Sequence, residues 1–254
     1  INIKGGILWV DNAIEYLQAQ DSLPLLKWNN DLIVDFCNGK DDNIVLSDLS
    51  LNMAMGMLSL GADGETYDVL KNYFNEDIDN KAKRDGELVL AYNGYEDATV
   101  LLSNSVFADK KMPLREDYID TIKGVYYSIA ETLDFHANPE YSASVINKWC
   151  AENTKDMIKE IISPAVLAER DVILLNALYF NGKWADPFED NQISELTFHN
   201  NDGTTTLLDG MEEYGLAVYE SDNAIAFEKR YEGYDFAFYG IVPNTDIVDE
   251  NGNF

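Results

Sequence analysis

Two histidines, two cysteines and an excess of carboxylates are the side chains in this sequence that might be thought to carry catalysis or hold a metal. His136 and His199 each stand beside a turn signal, Ala137-Asn138-Pro139 and Asn200-Asn201-Asp202-Gly203. A serine-histidine-acid relay needs its imidazole held between a nucleophile and an orienting carboxylate. A zinc centre needs several nitrogen or sulfur ligands converging on one point. Two isolated loop histidines supply neither. Cys37 and Cys150 are far apart, with no histidine or CxxC neighbour. They read as free, partly buried thiols, a single disulfide being the alternative. GxSxG, Walker A, GxGxxG and HExxH are all absent. Among 46 acidic residues, two carboxylates lying close together carry no information. The sequence therefore assigns no catalytic, cofactor-binding or metal-binding residue, and nothing in it supports an enzyme.

One polar side chain does ask for an account. The apolar run from Val172 to Phe180 is interrupted only by Asn176 and continues into Asn181-Gly182-Lys183-Trp184. Such a run reads as a strand buried on both faces. A carboxamide inside it must be paired, because leaving it unsatisfied costs about 1–3 kcal/mol.

The elements that would position Asn176 follow from periodicity and turn signals. Trp28, Leu32, Ile33 and Phe36 mark an amphipathic helix over Leu26 to Cys37, and Asn43 to Leu46 reads as a short strand. Ser47 is a suitable N-cap for a helix from Leu49 to Leu60. That helix is apolar nearly all round, is expected to be buried, and is stopped by Gly61. Tyr67, Leu70, Tyr73 and Phe74 mark a surface helix. Val100 to Phe107 alternates as a strand, with Val100, Leu102, Asn104 and Val106 on one face. A helix over Asp117–Tyr127 and a short strand over Glu131–Phe135 come next. A long helix is expected from Pro139 to Ile162, with Ile146, Trp149, Cys150, Met157 and Ile161 on one stripe and Pro164 ending it. Five further strands follow, around 195–198, 207–211, 215–220, 224–228 and 235–242. Helices come early and strands late, so the class is α+β. With no repeat or linker, residues 1–254 read as a single domain.

Charge narrows the partners. A formal charge of −28 disfavours nucleic acid and heparin-like polyanions, both of which are bound through cationic contacts. It suits solubility or a generally acidic host. No apolar run is long enough to cross a bilayer. The chain opens at Ile1 with neither Met nor a signal-like segment, so localisation is not legible from the residues.

Several segments, in order, resemble the serpins. Asn43-Ile44-Val45-Leu46-Ser47-Asp48-Leu49-Ser50 is similar to the family's entry into its helix B, with Asp48 in place of the usual proline. Met57-Leu58-Ser59-Leu60-Gly61-Ala62-Asp63-Gly64-Glu65-Thr66 resembles the M-L-x-x-G-A-x-G-x-T motif. Ile146-Asn147-Lys148-Trp149 with Thr154 and Ile158 resembles the helix F signature. Leu175 to Trp184, with Pro187-Phe188, resembles the central strand motif, although Ile193-Ser194 stands where a threonine is common. Tyr231-Glu232-Gly233 and Ile241-Val242-Pro243 resemble a stretch of sheet B, with Lys229-Arg230 where an apolar residue and proline are usual.

The resemblance implies a fold in which N-terminal helices pack around a large mixed sheet A, with sheets B and C. It implies inhibition of serine or cysteine endopeptidases as a suicide substrate, with a cleaved reactive-centre loop inserting into sheet A. It implies no cofactor, a monomer when complete, and an extracellular role. A non-inhibitory serpin acting as a binding or storage scaffold is the alternative. Ser47, Ser50 and Asn176 would form the shutter at which sheet A opens, and Trp184 would mark the breach where insertion starts. The loop and its scissile residue, with the late strands of sheets A and B, are expected beyond Phe254.

Overall fold

Ser47 begins the first helix of the described residues, as its capping role predicts. Its Oγ accepts from the Ser50 backbone N–H at 3.2 Å and donates to Ser50 Oγ at 2.8 Å. The computed structural model describes residues 45–95, 98–200, 203–221 and 224–243. The expected helix over 26–37, the residues Asn43 and Ile44, and Cys37 lie outside them. The chain divides into two compact units, one spanning Ser47–Asn181 and one that includes Gly182 onward.

In the first unit, α1 (Asp48–Gly61) buries Met53, Met57 and Ser59 but leaves Leu58 exposed, so it is buried along one side and not all round. Its small residues do permit close approach. A Cβ on Gly56 would collide with the hydroxyl of Tyr126. Asp63 caps α2 (Gly64–Phe74), which buries Leu70 and Phe74. Next comes a helix that the pattern did not announce, α3 (Ile78–Tyr92), capped by Asp77. Two of its buried positions are the charged residues Lys81 and Asp85, which hide its inner face from any hydropathy pattern. A fourth helix, α4 (Glu116–Val125), completes this layer.

Helices α1, α3 and α4 pack on one face of a mixed sheet of order β2-β1-β3, and α2 packs on α1. Strand β1 (Ala98–Asp109) runs parallel to β2 (Ile129–Leu133), with Ser105 opposite Ile129 and Asp109 opposite Leu133. On the other side of β1 lies β3 (Val172–Gly182). Asp109 N–H donates to Asp171 O at 2.8 Å, while Asn104 meets Asn176, so β3 runs antiparallel to β1. Alternation along the strands separates two cores. Leu102 and Val106 face the α1–α3–α4 cluster, where Val172, Leu174 and Leu178 join them. Phe107 faces the opposite side, with Leu133, Phe135, Ile146 and Leu167, backed by Ile173 and Leu175.

The helix on that second side, α5 (Pro139–Asn153), is shorter than expected. The chain leaves it at Thr154, and Lys155 and Asp156 adopt left-handed backbone conformations (φ 50° and 61°). The residues that resembled a helix signature are the ones that end it. Thr154 Oγ1 donates to Cys150 O at 2.8 Å and accepts from Ile158 N–H at 3.0 Å. Asn147 Oδ1 accepts from the N–H groups of Ile161 and Ile162, and its Nδ2 donates to Ile162 O at 2.9 Å, pulling the chain back along the helix. Met157 and Ile161 are therefore exposed and do not extend the apolar underside. Ser163 then caps the short α6 (Pro164–Leu167). Cys150 is a free, buried thiol, and burial pushes its pKa up.

Asp109 ties the end of β1 to the next turn. It is fully buried, and its carboxylate accepts from the N–H groups of Lys111 (2.8 Å) and Phe135 (2.7 Å). Burial pushes this carboxyl up, but the N–H donors and nearby His136 outweigh it and hold it below the usual carboxylate range. A depressed pKa stabilises the fold at pH values above the ordinary carboxylate value of about 3.9, and that contribution is lost as pH falls through the folded value. Asp109→Asn is therefore expected to lower the thermal midpoint at pH 7, with the gap to the parent narrowing below about pH 4. Melting curves across that range check it, and a gap that widens with acid contradicts it.

The unit that includes Gly182 onward is β-rich. Strands β4 (Ile193–His199) and β5 (Thr205–Met211) pair antiparallel, and β6 (Ala217–Glu220), β7 (Ala224–Arg230) and β8 (Ala237–Pro243) form an antiparallel sheet. The class is α+β, as the order of periodicities predicts. No helix among the described residues is long and apolar enough to cross a membrane.

Candidate functional site: a polar pair in the mixed sheet

Asn176 lies on the face of β3 that carries Val172, Leu174 and Leu178, toward the α1–α3–α4 core. Its Nδ2 donates to Asn104 Oδ1 at 2.9 Å. Asn104 is buried on β1, and its own Nδ2 donates to the backbone carbonyl of Tyr126 at 3.1 Å. A second asparagine is thus the partner that the amide in the strand required. Sequence reading placed Asn104 on the right face without singling it out. Its one visible signal was an amide at an inward position of an alternating strand.

Ser47 and Ser50 hydrogen-bond to each other across the first turn of α1, and no hydrogen bond joins either to Asn176 among the described residues. What α1 and β3 share is apolar: Leu49, next to Ser50, packs on the same core as Leu174 and Leu178. Asp48, standing where the serpin pattern has proline, accepts from Asn52 Nδ2 through both its backbone carbonyl (3.1 Å) and its carboxylate (3.2 Å).

Strand β3 also differs from expectation. It is half-buried along most of its length, with Ala177 its one fully buried residue, and among the described residues it pairs on one side only. Strand β1, buried on both faces over its second half, is the middle strand. A continuous apolar run cannot tell a central strand from an edge one. Both of its faces are covered by cores, and this is enough to keep both faces apolar. Asn176 Oδ1 is buried and has no hydrogen-bond partner among the described residues.

Trp184 belongs to the other unit. It makes a lone bridge with Tyr231, and the two rings stack at 4.4 Å, 12° apart. Phe238 meets the indole edge-on at 6.1 Å. Lys229, at a position usually apolar, is buried with its Nζ 4.4 Å over the Phe188 ring and 5.4 Å over Trp184. Its remaining needs are met by Asp186 O at 2.7 Å and the Glu213 carboxylate. A cation on aromatic faces with two oxygen acceptors is an accommodated buried charge.

His136 places Nδ1 2.9 Å from Ala168 O and Nε2 3.2 Å from Asp171 Oδ1, a contact between loops. Among the described residues no group of three or more His, Cys, Asp or Glu side chains is arranged to hold a metal.

Comparison with known proteins fits this arrangement. Residues 30–251 match the family model described as "Serpin (serine protease inhibitor)". Human Serpin B4 is 28% identical over 240 residues, covering 86% of this chain and 62% of its own length. Mouse antithrombin-III is 30% identical over 219 residues, covering 81% of this chain and 47% of its own. The chain thus spans about half to just under two thirds of these relatives. Among solved structures, the native stressed conformation of Arabidopsis AtSerpin1 superposes with a TM-score of 0.76 at 22% identity, covering 94% of this chain and 62% of that one. Manduca sexta serpin-12 gives 0.77 at 20% identity, covering 84% and 61%. With most of the chain matched by the family model and the mixed sheet flanked by its helices, the chain belongs to the serpin family.

Proposed function

We propose that the protein inhibits serine or cysteine endopeptidases as a suicide substrate, the β1–β3 sheet being the part that opens to admit a cleaved loop. The observation that carries this reading is Asn176. Its Oδ1 is a buried acceptor without a donor, on a strand that pairs on one side only among the described residues. An unmet acceptor costs about 1–3 kcal/mol, and an incoming strand that brings a donor relieves it. The free energy for trapping a protease would come from that completed ladder and its apolar burial. Family membership supports the class of target, and antithrombin-III is among the relatives. On this reading residues 1–254 belong to one domain, the protein is not an enzyme, it is a monomer when whole, and it acts outside the cell. Ser47, bonded to Ser50, caps the helix whose Leu49 packs on the same core as the opening strand, and Trp184 marks the breach where insertion starts.

The test mixes the full-length protein with serine and cysteine proteases and looks for an SDS-stable complex of one inhibitor with one protease. Such a complex is expected with at least one protease. Clean cleavage with no complex, across the panel, would overturn the inhibitor reading and favour a non-inhibitory scaffold.

A further inference from the structure

A contiguous run of polar contacts crosses the Ser47–Asn181 unit from α3 to β3. Lys81 Nζ pairs with Asp85 Oδ2 one turn along α3. Tyr126 Oη donates to the same Oδ2 at 2.7 Å. The Tyr126 carbonyl accepts from Asn104 Nδ2, and Asn104 Oδ1 accepts from Asn176 Nδ2. Tyr126 is the joint, because one residue provides a link at its ring and another at its backbone.

The polarity of this run is forced from one end. A backbone carbonyl can only accept, so Asn104 must turn its amide nitrogen toward Tyr126 and its oxygen toward Asn176. Asn176 must then offer its own nitrogen, which leaves Oδ1 as the acceptor unfilled among the described residues. The direction of the Tyr126 carbonyl is itself set locally. Tyr126 ends α4 at φ −93° and ψ 0°, and Tyr127 follows at φ 52°. A tyrosine in the left-handed region is unfavourable by itself and persists where its surroundings hold it. The hold comes from the Tyr126 ring, which is fully buried with its hydroxyl seated against Gly56 and bonded to Asp85. Burial and the Asp85 charge push the phenol pKa well up, so the hydroxyl remains a donor.

We propose that Lys81, Asp85 and Tyr126 are positioning residues for the Asn104–Asn176 pair, fixing which atom of Asn176 is left to receive a new partner. The ion pair holds the phenol, the phenol holds the end of α4, and the carbonyl there orients both amides. This rests on reading Asn176 as the latch of an opening sheet and makes α3 the element that sets it.

The test uses Tyr126→Phe in the full chain, which removes the hydroxyl link and keeps the ring. The readouts are the side-chain amide NMR signals of Asn104 and Asn176 and hydrogen exchange over residues 172–180. Leu70→Ala, which truncates a buried residue of α2, is the control for general destabilisation. Tyr126→Phe is expected to shift both amide signals and to speed β3 exchange about tenfold beyond the control, within the range of coupling seen for residues of one network. Combined with Asn176→Ala, its effect on the unfolding constant is expected to fall short of the product of the single effects. Unmoved amide signals, or effects that simply multiply, would overturn the proposal. Shifted signals without any protease complex would leave the relay standing and remove only the inhibitor reading. A complex with unmoved signals would do the reverse.

Discussion

Replacing Asp85 with alanine is expected to cost the fold about 3–5 kcal/mol, among the largest losses available to a single substitution here. Lys81 and Asp85 are each 1% exposed, and among the described residues the carboxylate is the sole counter-charge bonded to the ammonium. What remains to Lys81 is Asn52 O at 3.3 Å and the face of Phe74 at 4.4 Å. Burial pushes the Lys81 pKa down and the Asp85 pKa up, against their mutual attraction, so each ion is costly there without the other. Lys81→Met should cost a similar amount by stranding the carboxylate. The double variant Lys81→Met/Asp85→Leu should recover most of the loss, falling short by about 1 kcal/mol because Tyr126 loses its acceptor. Urea unfolding midpoints at unchanged slope measure all three. Single variants within about 0.5 kcal/mol of the parent would show that the pair is solvated in the native state.

Phe107→Ala is expected to cost about 3–5 kcal/mol, the usual loss for emptying a fully buried aromatic site. Phe107 lies where α5 sits on the sheet, edge-on to Trp149 at 6.3 Å and among Phe135, Ile146 and Leu167. Helix α5 buries Ser142, Ala143, Ile146 and Cys150, and its Val145 and Trp149 pack on the same core as Phe107. The loss should therefore be local as well as global. Amide exchange across Pro139–Asn153 is expected to speed up more than exchange in α1, where Met53 and Met57 belong to the opposite core. Equal acceleration in both helices would show that the two cores unfold as one. If the sheet opens in function, this interface is the one α5 must release, and the alanine variant lowers the cost of that release.

Much of this protein was legible in order along the chain. Ser47 as a cap, the alternation of Val100–Phe107, the turn at Ala62-Asp63-Gly64 and the late strands follow from local rules of capping and periodicity, and the structure has them within a residue or two. Helix α3 escaped because Lys81 and Asp85 neutralise each other inside the core, and a hydropathy pattern reads buried charge as surface. The long helix expected to Ile162 stops at Asn153 because Asn147 and Thr154 bind backbone groups downstream. Their identities were plain in the sequence, but the hydrogen bonds that turned them into stops were not.

The site divides along the same line. By itself the sequence determined that Asn176 is an amide in an apolar strand and that such an amide needs a partner, because the desolvation of a carboxamide depends only on its surroundings being apolar. It also determined the family, because order and spacing of short motifs survive in the sequence. Only the tertiary structure decided that the partner is Asn104 and not Ser47 or Ser50, that a Tyr126 carbonyl dictates which way both amides face, and that among the described residues Asn176 Oδ1 ends without a donor. Hydrogen-bond polarity is a property of atoms brought together from distant positions, and no local pattern of residue types encodes it.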